Sequence, residues 1–266
     1  MNTLSQWFSD PLGHLLSLLT LIPAILPALI LHEVAHGYTA YRLGDPTAKL
    51  MGRLSLNPAR HLDLWGTICM FVVGLGWAKP VPIDPRFFKN PRRDILLVSV
   101  AGIVTNLIMF VIGCIAMYAM VFIAVSAVPA DMWIEEGLIT ETTFTTIYYM
   151  PREDMFLYAY GMGDALIVPY LGQVWGVVFE IISQFAVLNL SLAVFNLIPM
   201  PPLDGYRLMG TLLPRTSPFV SQKVARICQF AMMALAFSGL LGKGLARMIE
   251  FIMGGIGSAV MLLAGV

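Results

Sequence analysis

The chain has 266 residues, of which 58% are hydrophobic and only 12% charged, and its mean hydropathy is positive. Soluble domains carry about one charged residue in four, so this composition excludes an ordinary soluble protein and indicates a membrane protein. The formal net charge is zero, which gives no basic excess for nucleic acid and no acidic tail for disorder.

Spanning helices need about 20 mostly apolar residues, so the gaps between charges locate the elements. No basic n-region precedes the first apolar run, and Asp10 stands there instead, so that run is expected to stay in the mature chain rather than act as a cleaved signal. From Pro11 to His32 there is no acidic or cationic residue apart from the titratable His14 and His32. Pro23 and Pro27 are expected to kink any helix there. The next run, Leu64 to Ala78, is short and glycine-rich, and nine of the sixteen Lys and Arg residues flank it: Arg42, Lys49, Arg53, Arg60, Lys79, Arg86, Lys89, Arg92 and Arg93. Both flanks therefore belong on the cytoplasmic side, and the run is expected to be re-entrant or interfacial. A long charge-free stretch between Asp94 and Asp131 suits one tilted helix that projects from the bilayer.

The following segment, about 128–174, has the opposite sign, with seven acidic residues against Arg152, and is expected outside. Its aromatics, Trp133, Tyr148, Tyr149, Phe156, Tyr158, Tyr160 and Tyr170, read as interfacial residues in preference to a cover over the outer end of a cavity. A third long stretch runs from Ile181 to Leu203, where Pro199, Pro201 and Pro202 should stop or break the helix. Two shorter runs, Ile227 to Gly242 and Phe251 to Val266, suggest a C-terminal helical hairpin spanning about 222–266. If both cross the bilayer, Lys243 and Arg247 fall on the disfavoured side. The expected fold is an all-α polytopic membrane protein with five or six transmembrane or re-entrant helices. The absence of repeats, low-complexity tracts and linkers points to a single membrane domain over 1–266.

The most specific motif is His32-Glu33-Val34-Ala35-His36. Residues four apart share a helix face, so both imidazoles can reach one metal ion. Glu33 beside them can take a proton from a water polarised by that metal, and zinc suits two imidazoles, a carboxylate and one open position. Three ionisable groups at the end of an apolar helix cost about a few kcal/mol in lipid, so they need partners or a wet cavity. Another ligand must come from elsewhere, at the same membrane depth. Asp204, past the proline-rich end of the third long stretch and next to Gly205, is a candidate. From spacing alone it reads equally as a metal ligand or as a cap for the following helix. The cysteines Cys69, Cys114 and Cys228 lack metal or disulfide spacing and read as packing residues, as do the seventeen methionines.

The segment HEVAHG followed far downstream by NLIPMPPLDG resembles the site-2 protease family of intramembrane zinc metalloproteases. GRLSLNP (52–58), HLDLWGT (61–67), GWAKPVPI (76–83) and AGIVTN (101–106) add to the resemblance, which is to the compact bacterial branch without PDZ or CBS modules. It implies His32, His36 and Asp204 as ligands of one zinc ion, Glu33 as general base, and Asn196 as a residue that holds the substrate backbone or the developing oxyanion. It also implies a membrane-protein substrate cut within or beside the bilayer, and a bacterial plasma membrane location; the side on which the site lies is left to the charge asymmetry, which points to the cytoplasm. A homo-oligomer is left open. GRLSLNP and GWAKPVP read as short extended pieces near the cytoplasmic interface, which in such a family pair with an unwound substrate.

One departure stands out: Ile103 follows Ala101-Gly102 where the family often has proline, which leaves Asn106 between a functional position and a polar residue that bonds a neighbouring helix. His61 reads as structural rather than as a fourth ligand, which would close the position water requires. Two other classes remain as alternatives. A non-proteolytic metal-binding scaffold is disfavoured by the intact Glu33. A metal transporter would need polar residues across both halves of the bilayer, whereas the ionisable residues gather toward one side.

Overall fold

A computed structural model describes residues 9–73, 77–127, 167–213, 218, 221–249 and 251–252. Among the described residues three helices are long and apolar enough to cross a membrane, or four when the bent pair Lys223–Leu235 and Leu240–Ile249 is taken as one span. Helix α1 covers Pro11–Arg42, α4 covers Pro91–Ala127 and α6 covers Gln173–Asn196. At 1.5 Å per residue they measure roughly 48, 55 and 36 Å, against about 30 Å of hydrocarbon. Between α1 and α4 lie the short α2 (Thr47–Leu50) and α3 (Leu64–Val73), and α5 (Val168–Leu171) precedes α6. After α6 come α7 (Asp204–Leu212), α8 (Gln222–Phe237) and α9 (Leu240–Ile249).

The three long helices pack against one another, and α7 packs on α4. Apolar side chains such as Leu16, Ile108, Ile115, Phe122 and Val174 face outward, as lipid contact requires. The inner faces carry small residues: Ala24 and Ala28 on α1, and Ala186 and Ala193 on α6, are fully buried. Hydrocarbon supplies no hydrophobic drive between helices, so close backbone approach through small side chains takes its place. At the α4–α6 crossing a Cβ on Gly113 would lie 2.9 Å from Ala186 Cβ and 3.1 Å from its Cα.

Helix α1 starts on a capping bond, Gly13 N–H to Asp10 Oδ1 at 2.9 Å, and stays helical through Pro23 and Pro27 to Arg42. Membrane helices tolerate such prolines because neighbouring groups satisfy the carbonyls they free. Helix α6 ends at Asn196, three residues before Pro199, where the sequence places a stop. The expected acidic segment lies outside the described residues over 128–166.

The described part of the run from Leu64 is the ten-residue α3, roughly 15 Å long and half a bilayer core. Beyond it, residues 77–84 form no helix and join Leu62 through one antiparallel bridge at Ala78, with Lys79 N–H donating to the His61 carbonyl at 2.7 Å. The buried Arg53 guanidinium donates to the carbonyls of Lys79 and Pro80. This fits the expected extended pieces, although no multi-residue strand forms among the described residues.

The C-terminal region differs in detail. Helices α8 and α9 meet at an angle of 82°, and the break falls at 238–239, inside the first expected run. Gly239 sits there with φ +74°, a left-handed conformation that suits glycine. Leu245, Ile249 and Ile252 then pack onto Phe110, Ala186, Leu190 and Val194, so this end of the chain closes over the α4–α6 crossing. Most of the second expected run, from Phe251, lies outside the described residues.

Candidate metal centre and active site

His32 and His36 stand one turn apart near the charged end of α1, and both are buried. Their rings meet edge to face, with centroids 4.5 Å apart. Their Nε2 atoms are 3.0 Å apart. Asp204 opens α7, and its Oδ2 lies 3.3 Å from His32 Nε2 and 3.0 Å from His36 Nε2. Among the described residues this is the one group of three or more His, Cys, Asp or Glu side chains able to share a metal ion, with ligand atoms within 4.8 Å of one another. His61 is not part of it; its Nε2 faces the Ser55 carbonyl at 2.6 Å.

The sequence leaves Asp204 between ligand and cap, and the structure speaks against the cap. Leu203 occupies the cap position, and no side chain bonds the first turn of α7. Asp204 Oδ2 is buried and receives no hydrogen bond. Burial pushes the Asp204 carboxyl up, but the adjoining His36 and His32 imidazoles outweigh it and hold it well below the usual carboxylate range. Gly205 explains how α7 reaches this position. A Cβ there would run into the Leu197 carbonyl oxygen and come within 2.5 Å of the Ile198 oxygen, so only glycine lets the start of α7 sit against the turn that follows α6.

A zinc ion can be tested against these donors. Ligand atoms about 2.0–2.1 Å from a tetrahedral ion lie roughly 3.3–3.4 Å apart. The three observed separations, 3.0, 3.0 and 3.3 Å, need only a slight opening. Two imidazole nitrogens and an orphaned carboxylate oxygen, all buried and facing one another, form a donor set that fits.

Helix α4 forms the wall behind both imidazoles. The Val98 carbonyl oxygen is 2.7 Å from His36 Nδ1, and Asn106 Oδ1 is 3.1 Å from His32 Nδ1. Gly102 lies between them, and a Cβ on it would come within 2.5 Å of His36 Nε2 and 2.6 Å of His32 Cε1. Glu33, half-buried beside the pair, accepts a 2.8 Å bond from Val81 N–H on the extended segment. Asn196 ends α6 and donates from Nδ2 to the Leu192 carbonyl at 2.9 Å. The Val98 carbonyl and the Val81 N–H escape sequence reasoning because any residue type supplies them.

Two buried histidines and a glutamate on the membrane-length α1, met by a buried carboxylate from the short α7, define the class of membrane-embedded metallohydrolases. A family model described as peptidase family M50 matches residues 20–239. The chain is 39% identical over 200 residues to the "Putative zinc metalloprotease YwhC" of Bacillus subtilis, covering 74% of this chain and 72% of that one. It is 28% identical over 234 residues to the "Putative zinc metalloprotease Rip2" of Mycobacterium tuberculosis, covering 85% and 68%. The Rip2 of Mycolicibacterium smegmatis is 24% identical over 221 residues, covering 81% and 64%. No solved structure matches the chain. The chain belongs to peptidase family M50, the site-2 protease family, and is a zinc metalloprotease set in a membrane, with a protein substrate there.

Proposed function

We propose that the protein is an intramembrane endopeptidase that cuts transmembrane or membrane-adjacent segments, with His32, His36 and Asp204 as the zinc ligands and Glu33 as general base. The convergence of the three buried ligand atoms carries this reading. Bound there, zinc supplies Lewis-acid polarisation of the scissile carbonyl and of water. Glu33 takes the proton from the attacking water and returns it to the departing amine nitrogen. Its Oε2 is held by Val81 N–H, which fixes the carboxylate and leaves Oε1 for the proton.

Residues 77–83, tied down through hydrogen bonds to His61, Arg53 and Glu33, serve as the edge along which an unwound substrate is laid beside that base. A transmembrane helix hides its peptide bonds in its own hydrogen bonds, so unwinding must precede attack. Asn196 holds the substrate backbone or the developing oxyanion, for which its amide leaves the Leu192 carbonyl. The cationic residues around this end of the bundle favour a site toward the cytoplasmic face of the bacterial plasma membrane, with all of 1–266 as one domain.

Wild type, Glu33→Gln and Asp204→Ala, each co-expressed with a panel of single-span candidate substrates and then purified for zinc analysis, test the assignment. Wild type is expected to release truncated products. Glu33→Gln should lose about 10²–10⁴ of the cleavage rate while keeping zinc, and Asp204→Ala should lose both. Equal cleavage by wild type and Glu33→Gln removes Glu33 as base, and undiminished zinc in Asp204→Ala removes that residue as a ligand.

A further inference from the structure

Asn106 occupies a position that helix packing alone leaves unexplained. Its side chain is fully buried, its Oδ1 faces His32 Nδ1 at 3.1 Å, and its Nδ2 has no hydrogen-bond partner. A buried amide donor left without an acceptor costs about 1–3 kcal/mol. An asparagine that merely joined two helices would be expected to satisfy both ends of its amide. Here one end is sacrificed and the oxygen is kept on the imidazole.

The direction of that contact matters. When a metal takes the lone pair on His32 Nε2, the ring proton sits on Nδ1, and Nδ1–H needs an acceptor. The carboxamide oxygen is such an acceptor, and the amide turned the other way would set two donors against each other. The neighbouring histidine repeats the arrangement with a group whose polarity is fixed, since the Val98 carbonyl beside His36 Nδ1 can only accept. Val98, Gly102 and Asn106 are four residues apart along α4 and so share one face. The same helix face therefore supplies an acceptor to each imidazole and, at Gly102, the space the rings occupy.

We propose that Asn106 is a positioning residue for His32, whose carboxamide oxygen holds the Nδ1 proton and so turns the Nε2 lone pair toward the zinc position. The inference rests on His32 being a zinc ligand. It resolves the two readings the sequence leaves for Asn106 in favour of a role at the metal.

Full-length wild type, Asn106→Leu, Asn106→Asp and His32→Ala, purified in detergent, are stripped of metal and titrated with zinc against a competing chelator. Their cobalt(II)-loaded forms are then compared by visible absorption. Asn106→Leu removes the acceptor and should weaken zinc binding about 10–100-fold, with altered cobalt ligand-field bands. Asn106→Asp keeps an acceptor and makes the imidazole more basic, so it should bind zinc at least as tightly as wild type. Asn106→Leu with wild-type zinc affinity overturns the proposal. So does Asn106→Asp binding as weakly as Asn106→Leu, because a purely structural asparagine would make both replacements equally harmful. His32→Ala should lose tight zinc binding; if it does not, the ligand assignment beneath the inference fails, and that failure is separable from the Asn106 comparison.

Discussion

Gly102 carries as much of the candidate site's geometry as the ionisable residues do. Its missing side chain is the space in which the two imidazoles lie, and a methyl group there would come within 2.5 Å of His36 Nε2, one of the three converging donor atoms. Neither ring can yield easily, since each is tied through Nδ1 to α4 itself. Gly102→Ala should therefore purify as a folded membrane protein yet bind zinc at least tenfold more weakly, because misplaced donors lose affinity before they lose the fold. Equilibrium dialysis with radioactive zinc is a sufficient check, and unchanged affinity would mean that the wall gives way. The motif AGIVTN draws attention to this stretch in the sequence, but nothing local says that its glycine faces two histidines that lie 66 and 70 residues earlier on another helix.

Among the elements, the α4–α6 crossing is the contact most sensitive to side-chain size. Gly113 and Ala186 let the backbones approach, and the C-terminal helix α9 packs over Phe110 and Ala186 at the same place. Gly113→Leu would wedge the crossing open at an overpacking cost of about 1–3 kcal/mol. Thermal unfolding in detergent should show a clear fall in Tm for Gly113→Leu. Ile115→Leu, on the outward face of the same helix and mostly exposed, should leave Tm unchanged. A similar Tm for both would mean that the crossing is looser than its geometry. The ends of the long helices were legible in advance where proline chemistry sets them, as at Asn196 before Pro199. Helix α1 continues through Pro23 and Pro27, because proline removes one bond but leaves continuation of the helix to its neighbours.

For the molecule as a whole, charge asymmetry is the basis for orientation. Nine cationic residues fall between Arg42 and Arg93, in the stretch that follows the His32–His36 motif, and this is what supports the proposed cytoplasmic placement of the site. A Lys89→Cys variant without the three native cysteines should react with a membrane-impermeant thiol reagent in inside-out vesicles and stay unreacted in intact cells. The reverse pattern would invert the proposed topology. Membrane class, the existence of three long apolar helices and the one-turn spacing of His32 and His36 all follow from the sequence, whereas α1 runs on to Arg42 and α6 begins at Gln173, beyond the expected runs. Transfer energy, helix periodicity and proline stereochemistry are local properties, readable without partners. Asp204 lies 168 positions beyond His36, and its approach to the two imidazoles depends on where α7 packs against α4 and the turn after α6, which Gly205 permits. The Val98 carbonyl, the Val81 N–H and the orphaned amide of Asn106 likewise acquired meaning only in three dimensions. Backbone groups carry no sequence signature, and a buried polar atom is satisfied or orphaned only relative to what folding brings beside it.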